Sequence, residues 1–313
     1  MGSQFSSVLN IMTNIAFLYP GQGSQKPGMG LDWLDASEMA RQRCQQAEAA
    51  LGWSVTDLWK PENESQLGAT KFTQPALYTL SAILTDALKE KGVKPALTAG
   101  HSAGEFAALY AAGAWNFETG LRVITERARL MHELAAPGAM AAVLGMQPED
   151  IQSICDQWTD GIVQAANFNS PKQTVITGEK AAIEAISPIL KEKGARRVVQ
   201  LPVSGAFHSP LMTEAQTQFR AFLQNIEILN PSVAWVSNNT AENQTSADAI
   251  REQLVKQFCE PVRWVQSMEV ISAQTERGIE VGPGEVLSGL AKQCNRDWPC
   301  SPCGTIEEFN QVI

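Results

Sequence analysis

The sequence predicts an α/β fold with a parallel sheet, on three observations. Short apolar runs that read as buried strands alternate with stretches of helical spacing. Several of those runs end in glycine turns that open directly into the next helix, as in "NIAFLYPGQGSQ" and "GIEVGPGEVLSGLAKQ". Between about 138 and 204 the order changes to strand, helix, strand, strand, helix, strand, the split-βαβ order of a ferredoxin-like unit. The expectation is an α/β-hydrolase-like core over 12–137 and 205–313, with the small ferredoxin-like subdomain inserted at 138–204.

Taken in order, residues 1–11, "MGSQFSSVLNI", lack the charged and apolar regions of a secretory signal and read as a remnant of expression, with the native start near Met12. Ile15 to Tyr19 is an apolar strand running into a glycine turn. Segments 34–52, 74–92 and 105–133 carry apolar residues at helical spacing. "KPALTAG" reads as a short strand before the turn at Ser102, and "EFAALYAAGAW" as the helix after it. In the insert, "GAMAAVLGM", "IVQAANFN", "QTVITG" and "ARRVVQLPV" are strands; "QPEDIQSICDQW" and "EKAAIEAISPILKEKG" are helices. "VSNN" follows another short strand, and "GIEV" is the last strand expected.

The bulk properties narrow the function classes. The chain has 313 residues, 44% hydrophobic and 18% charged, enough to bury a sizeable core. A formal net charge of −9 argues against non-specific nucleic-acid binding. No run of eighteen apolar residues is present, so no membrane span is expected. Six cysteines scattered over so long a chain fit reduced thiols of a cytoplasmic protein. Cys300 and Cys303 form a single CxxC with no second pair, which gives no zinc site, and no metal is expected.

Chemistry concentrates at "GHSAGE". The G-x-S-x-G pattern between a strand and a helix is what a nucleophile elbow requires, with glycines leaving room for the sharp turn and for a substrate. The bland alternative is a glycine turn with Ser102 as a helix cap. A serine needs a base, and the chain has three histidines. His101 precedes the serine in the turn, and its side chain is expected to point away from it. His132 lies on a long helix. His208 lies in "LPVSGAFHSPLM", where a strand runs into a loop, so elimination favours His208. No carboxylate stands out as the orienting third member; a main-chain carbonyl can do that work by accepting the imidazole N–H. The Ala103 N–H can stabilise an oxyanion; "PGQGSQ" is a candidate for the second donor, the bland alternative being a simple strand-helix turn. That loop is no dinucleotide fingerprint, since Lys26 stands at the third glycine position. A guanidinium could bind a substrate carboxylate, but Arg122, Arg127 and Arg129 are neighbours and charge alone does not select among them.

Together these stretches resemble the malonyl-CoA:acyl carrier protein transacylases, the acyltransferase family of fatty-acid and polyketide synthesis. The motifs fall in order from Met12 to about Gln293: "FLYPGQGSQ", "TQPAL", "GHSAGE", "RARLM", "GAMAAVLG", "NFNSPKQTVITG", "VSGAFHSPLM", "QFCEPVRW" and "EVGPGEVLSGL". The resemblance implies Ser102 as the acylated nucleophile, His208 as base and later acid, and Gln22 with the Ala103 N–H as the oxyanion hole. It implies that the main-chain carbonyl of Gln257 orients the histidine and that Arg127 pairs with the malonate carboxylate. Gln74 and Asn169 would line the pocket, with His101 also among the substrate-binding residues. Phe207 is the type seen in malonyl-selecting members. Malonyl-CoA and acyl carrier protein are the implied partners, with the CoA thioester as substrate, no cofactor, and a monomeric protein. An acyl hydrolase that clears carrier proteins is the rival reading. Departures are Glu285 where lysine is common, Ala103 where a larger residue is frequent, and "KQ" at 292–293 in place of "KR".

Overall fold

The computed structural model describes residues 14–203 and 205–313; the expected native start near Met12 and the remnant 1–11 lie outside them. Among the described residues there are ten strands: β1 Ile15–Tyr19, β2 Leu97–Gly100, β3 Ala139–Leu144, β4 Val163–Ser170, β5 Gln173–Gly178, β6 Arg197–Gln200, β7 Ala234–Val236, β8 Asn243–Gln244, β9 Arg277–Val281 and β10 Cys300–Cys303. They form a six-stranded sheet, β10-β9-β1-β2-β7-β8, and a four-stranded sheet, β4-β5-β3-β6. The larger sheet is parallel except at its β8 edge. Such a sheet must be covered on both faces, and β1 shows it. Ile15, Phe17 and Tyr19 enter one apolar cluster and Ala16 and Leu18 the other, as the two-residue period of a strand requires.

The smaller sheet is antiparallel throughout, in the ferredoxin-like order. Its own core gathers Val143, Ile151, Ile176, Ile183 and Leu190 from strands and from the helices Pro148–Asp156 and Lys180–Glu192. The chain's two connections to this sheet run side by side, with Pro137 bridged antiparallel to Gly205.

The structure divides two segments that periodicity alone joins. The stretch 105–133 becomes the helices Gly104–Ala111 and Phe117–Glu133, separated at Gly113, whose φ of 82° is open to glycine. The segment 34–52 breaks at Ser37, which caps the second helix by accepting from the Ala40 N–H. The helix expected at 74–92 spans Thr70–Glu90, with Pro75 in its first turns.

"CSPC" forms strand β10, which the sequence reading did not place. Residues three apart in a strand point to opposite faces. Accordingly Cys303 joins one apolar cluster and Cys300 packs against the other, both as free thiols. Among the described residues no helix is long and apolar enough to cross a membrane.

A carboxylate at the end of β9 fixes the helix that follows. Glu280 is fully buried and accepts from the Leu287 N–H at 2.9 Å, the Ser288 N–H at 2.7 Å and the Ser288 hydroxyl at 2.8 Å. These are donors a helix start leaves unpaired, and the N-terminal end of the dipole favours a negative group. Glu280→Ala should therefore lower unfolding free energy by about 2–3 kcal/mol in urea titration, with Glu280→Gln losing less; an unchanged midpoint for Glu280→Ala would show that water replaces the carboxylate.

Candidate active site

The elbow follows from steric exclusion. β1 and β2 end side by side, with Tyr19 paired to Gly100, and the Gly104–Ala111 helix begins against them. A Cβ on Gly104 would sit 2.0 Å from the Tyr19 carbonyl oxygen, and one on Gly100 2.1 Å from the Gly104 carbonyl carbon. Only glycine fits at either place. The chain reverses within Ser102, whose φ is +50°, a left-handed backbone that serine rarely adopts. Asn238, just past β7, holds this turn at three points. Its side-chain oxygen accepts from the Ser102 N–H at 2.7 Å, its amide nitrogen donates to the Gly100 carbonyl at 2.6 Å, and its own N–H donates to Glu105 at 2.7 Å.

Of the sequence-predicted residues, His208 and Arg127 meet at the Ser102 hydroxyl, with Gln257 and Gln74 behind them. Ser102 Oγ lies 2.8 Å from His208 Nε2, and His208 Nδ1 lies 2.7 Å from the Gln257 main-chain oxygen. A carbonyl only accepts, so Nδ1 carries the proton and Nε2 is left as the acceptor for the hydroxyl. His208 is 3% exposed. Burial, the nearby Arg127 cation and, more weakly, His101 pull its pKa down to about 3 against the contrary effect of its bond to Gln257. It is therefore neutral at pH 7 and able to take a proton.

Arg127 is fully buried. Its guanidinium donates to Ser102 Oγ at 3.0 Å, to Gln74 Oε1 at 2.7 Å, and twice to Gln257 Oε1, at 2.9 and 2.7 Å. Burial lowers its pKa to about 9, opposed by the charge of Glu105. Its neighbours face elsewhere: Arg122 lies over the Phe222 ring, and Arg129 bridges Glu126 and Glu133.

The His101 side chain turns away from Ser102, as the turn suggests. Its Nε2 lies 2.8 Å from Asn169 Oδ1, and its ring meets Trp264 edge-on at 5.3 Å. Burial lowers its pKa. The pair ties the elbow to β4 of the smaller sheet. Phe207, next to His208, is buried in the large core, while His132 is exposed. The Gln22 side chain turns to Thr70 Oγ1 at 3.1 Å, so what it can offer the elbow is its main chain. Gly21 lies against that backbone: a Cβ there would be 3.6 Å from the Ala103 nitrogen. Among the described residues neither the Ala103 N–H nor the Gln22 N–H has an acceptor.

Comparison with known proteins accords with this geometry. Residues 16–305 match the acyl transferase domain. The chain belongs to the acyl transferase family. It is 40% identical over 290 residues to the malonyl CoA-acyl carrier protein transacylase of Bacillus subtilis, covering 91% of this chain and 92% of that protein. To the Synechocystis enzyme of the same name it is 39% identical, covering 95% and 99%. Among solved structures, an acyl carrier protein S-malonyltransferase from Vibrio cholerae superposes with a TM-score of 0.93 at 34% identity, covering 96% of this chain and all of that one. A malonyl-transacylase solved in complex with a type II PKS acyl-carrier protein gives 0.93 at 36%, covering 96% and 99%. The mixed α/β architecture with a separate antiparallel sheet is the fold of this family member.

Two residues that brace the turn at Ser102 escaped the sequence reading, Glu105 and Asn238. Glu105 is buried completely at the start of an otherwise apolar helix; a lone carboxylate in "GEFAALYAAGAW" was the available signal. Asn238 gave none, since its partners lie 133 to 138 positions away. Gly104→Ala should destabilise this family member by about 3 kcal/mol or more, measured by chemical denaturation, because the clash is with backbone. Wild-type stability would mean that the turn can relax and that its glycine is dispensable.

Proposed function

We propose that this protein moves malonyl from malonyl-CoA to the phosphopantetheine thiol of acyl carrier protein through a malonyl-serine intermediate. The single observation that carries the reading is the meeting of the Ser102 hydroxyl with a neutral imidazole at 2.8 Å and a buried guanidinium at 3.0 Å. The first is the pairing acyl transfer needs; the second is a cation for a carboxylate-bearing acyl group. The names borne by relatives from Bacillus subtilis and Synechocystis support the same substrate.

In this reading His208 Nε2 takes the Ser102 proton as Oγ attacks the thioester carbon. The oxyanion forms between the Ala103 and Gln22 N–H groups. The C–S bond then breaks, and the proton passes from His208 to the departing CoA sulfur, leaving malonyl-Ser102. The carrier thiol gives its proton to His208 and attacks the ester carbon. The C–O bond breaks and Ser102 regains its proton. Gln257 keeps the imidazole in the tautomer that allows both passages. Arg127 pairs with the malonyl carboxylate, and Gln74, Asn169, His101 and Phe207 bound the acyl pocket. The proposed chemistry draws on these side chains, on the main-chain groups of Ala103, Gln22 and Gln257, and on the thioester as substrate. A monomer acting in the cytoplasm belongs to the proposal, supported by a site built from one chain and by scattered free thiols. Arg127 favours transfer of malonyl over hydrolysis of neutral acyl groups, which have no carboxylate to hold.

Incubation with labelled malonyl-CoA and holo-acyl carrier protein tests this directly. Label should pass to the carrier, with a malonyl adduct on the enzyme by intact mass that Ser102→Ala removes. Release of free malonate instead would establish the hydrolase. Arg127→Ala should cut malonyl preference over acetyl by roughly ten- to a hundredfold, the worth of one charged hydrogen bond of about 1.5–3 kcal/mol. The pH dependence follows from the imidazole. Rate should not fall through pH 6.5 on acidification, because burial and the Arg127 cation hold the His208 pKa well below that. Single-turnover acylation from pH 4.5 to 8 with both thioesters reads this; an inflexion near 6.5 would refute the neutral buried base.

A further inference from the structure

The Gln257 side chain does two things with two ends. Its Oε1 accepts two bonds from Arg127. Its Nε2 donates to the Ser102 carbonyl at 3.0 Å and to Glu105 Oε2. A primary amide can be turned over without changing its shape, so something must decide which end faces the guanidinium. The Ser102 carbonyl and the Glu105 carboxylate both accept, and both lie on the elbow. The other Glu105 oxygen accepts from the Asn238 N–H at 2.7 Å. Glu105 touches neither the nucleophile hydroxyl nor any atom that reacts.

We propose that Glu105 is a positioning residue for acyl selectivity. Its carboxylate holds the Gln257 amide with the oxygen toward Arg127, and this keeps the guanidinium beside Ser102 Oγ, where a malonyl carboxylate would arrive. The inference rests on the reading of Arg127 as the carboxylate clamp. The relay runs from Glu105 through the Gln257 side chain to Arg127. It is separate from the Gln257 main-chain carbonyl, which serves His208. In Glu105→Gln the Asn238 bond keeps its acceptor, but an NH₂ group now faces the Gln257 NH₂. The Gln257 amide turns over, and Arg127 then meets a donor instead of an acceptor. The clamp loses two bonds, whereas the Ser102–His208–Gln257 carbonyl chain is untouched.

The test compares kcat/KM for enzyme acylation from malonyl-CoA and from acetyl-CoA in the full-length protein, with thermal melting to confirm folding. Glu105→Gln should lower the malonyl-to-acetyl ratio by about tenfold or more, chiefly through malonyl KM, with acetyl acylation changed by less than about threefold. Gln257→Met, which removes the amide and keeps the carbonyl, should lower the ratio similarly. If the two act in one relay they are not additive, so the double variant should match Gln257→Met alone. A ratio unchanged or raised in Glu105→Gln, or an equal fall for both thioesters, overturns the proposal. If Glu105→Gln does not fold, an unchanged ratio in Gln257→Met overturns it independently. Arg127→Ala run alongside separates the two failures: if that variant keeps the wild-type ratio, the clamp itself is wrong and not only the relay.

Discussion

The site depends on a backbone that has been forced. Serine seldom occupies the left-handed region, and a residue is held there only when its surroundings over-determine it. Here the surroundings are specific. Gly100 and Gly104 leave no space for a Cβ between β1, β2 and the helix that follows. Asn238 then ties the turn's N–H and a neighbouring carbonyl to the end of β7. Three adjacent strands of the parallel sheet thus converge on one residue, whose hydroxyl stands clear of the sheet end. Ligands of open parallel sheets lie beyond the carboxyl ends of the strands for the same reason, since loops there are free to specialise while the strands stay packed.

Around the hydroxyl, one residue connects the imidazole with the guanidinium. Gln257 gives its carbonyl to the imidazole and its side-chain oxygen to the guanidinium. A carboxylate in the first of these positions would also orient the imidazole, but its charge would lie close to Arg127 and compete with an anionic substrate. A neutral carbonyl orients without that competition. The negative charge that is present, Glu105, lies on the far side of the Gln257 amide and is bonded to N–H donors. Burial pushes its pKa up, while the bonds from Asn238 and Gln257 and the charge of Arg127 pull it down and favour the carboxylate. Arg127 is pushed the opposite way by the same burial. Neither charge would be tolerable here without the other and without the amides between them.

Much of this was legible in the chain, and the reason differs by residue. Strands β1 and β3 are apolar runs ended by glycine, so the strand–turn–helix units read directly. Ser102 was legible because a strained turn demands glycines on both sides of it. His208 came by elimination, which works only because histidines are scarce. Arg127 was carried by resemblance alone, yet the helix itself held the information. Phe117, Gly120, Ile124, Arg127 and Met131 are all buried and recur every three or four residues, so Arg127 sits on the apolar stripe. Arg122 and Arg129 sit off it. An arginine on a buried stripe must have partners, and Gln74 and Gln257 are those partners. The helix break at Gly113 and strand β10 were not legible, because a single glycine and a Cys-Ser-Pro-Cys run carry no period.

The smaller sheet contributes through contacts that no local pattern encodes. Asn169 on β4 meets His101 at the elbow, and Gln164 on the same strand donates to the main-chain oxygens of both His208 and Cys259. His208 and Gln257 lie 49 positions apart on separate loops, and Gln164 bridges the two loops that carry them. The position of the His208 imidazole is therefore set by both sheets. A ferredoxin-like unit has a stiff hydrogen-bonded edge, and placing the loop after β6 against it holds the imidazole to one geometry without a covalent link. His208 itself takes a φ of +57°, a second non-glycine residue in the left-handed region. Ser102 and His208 are thus both presented by unusual backbone, one fixed by the parallel sheet and the other braced by the antiparallel one, and their side chains meet where the two sheets come together.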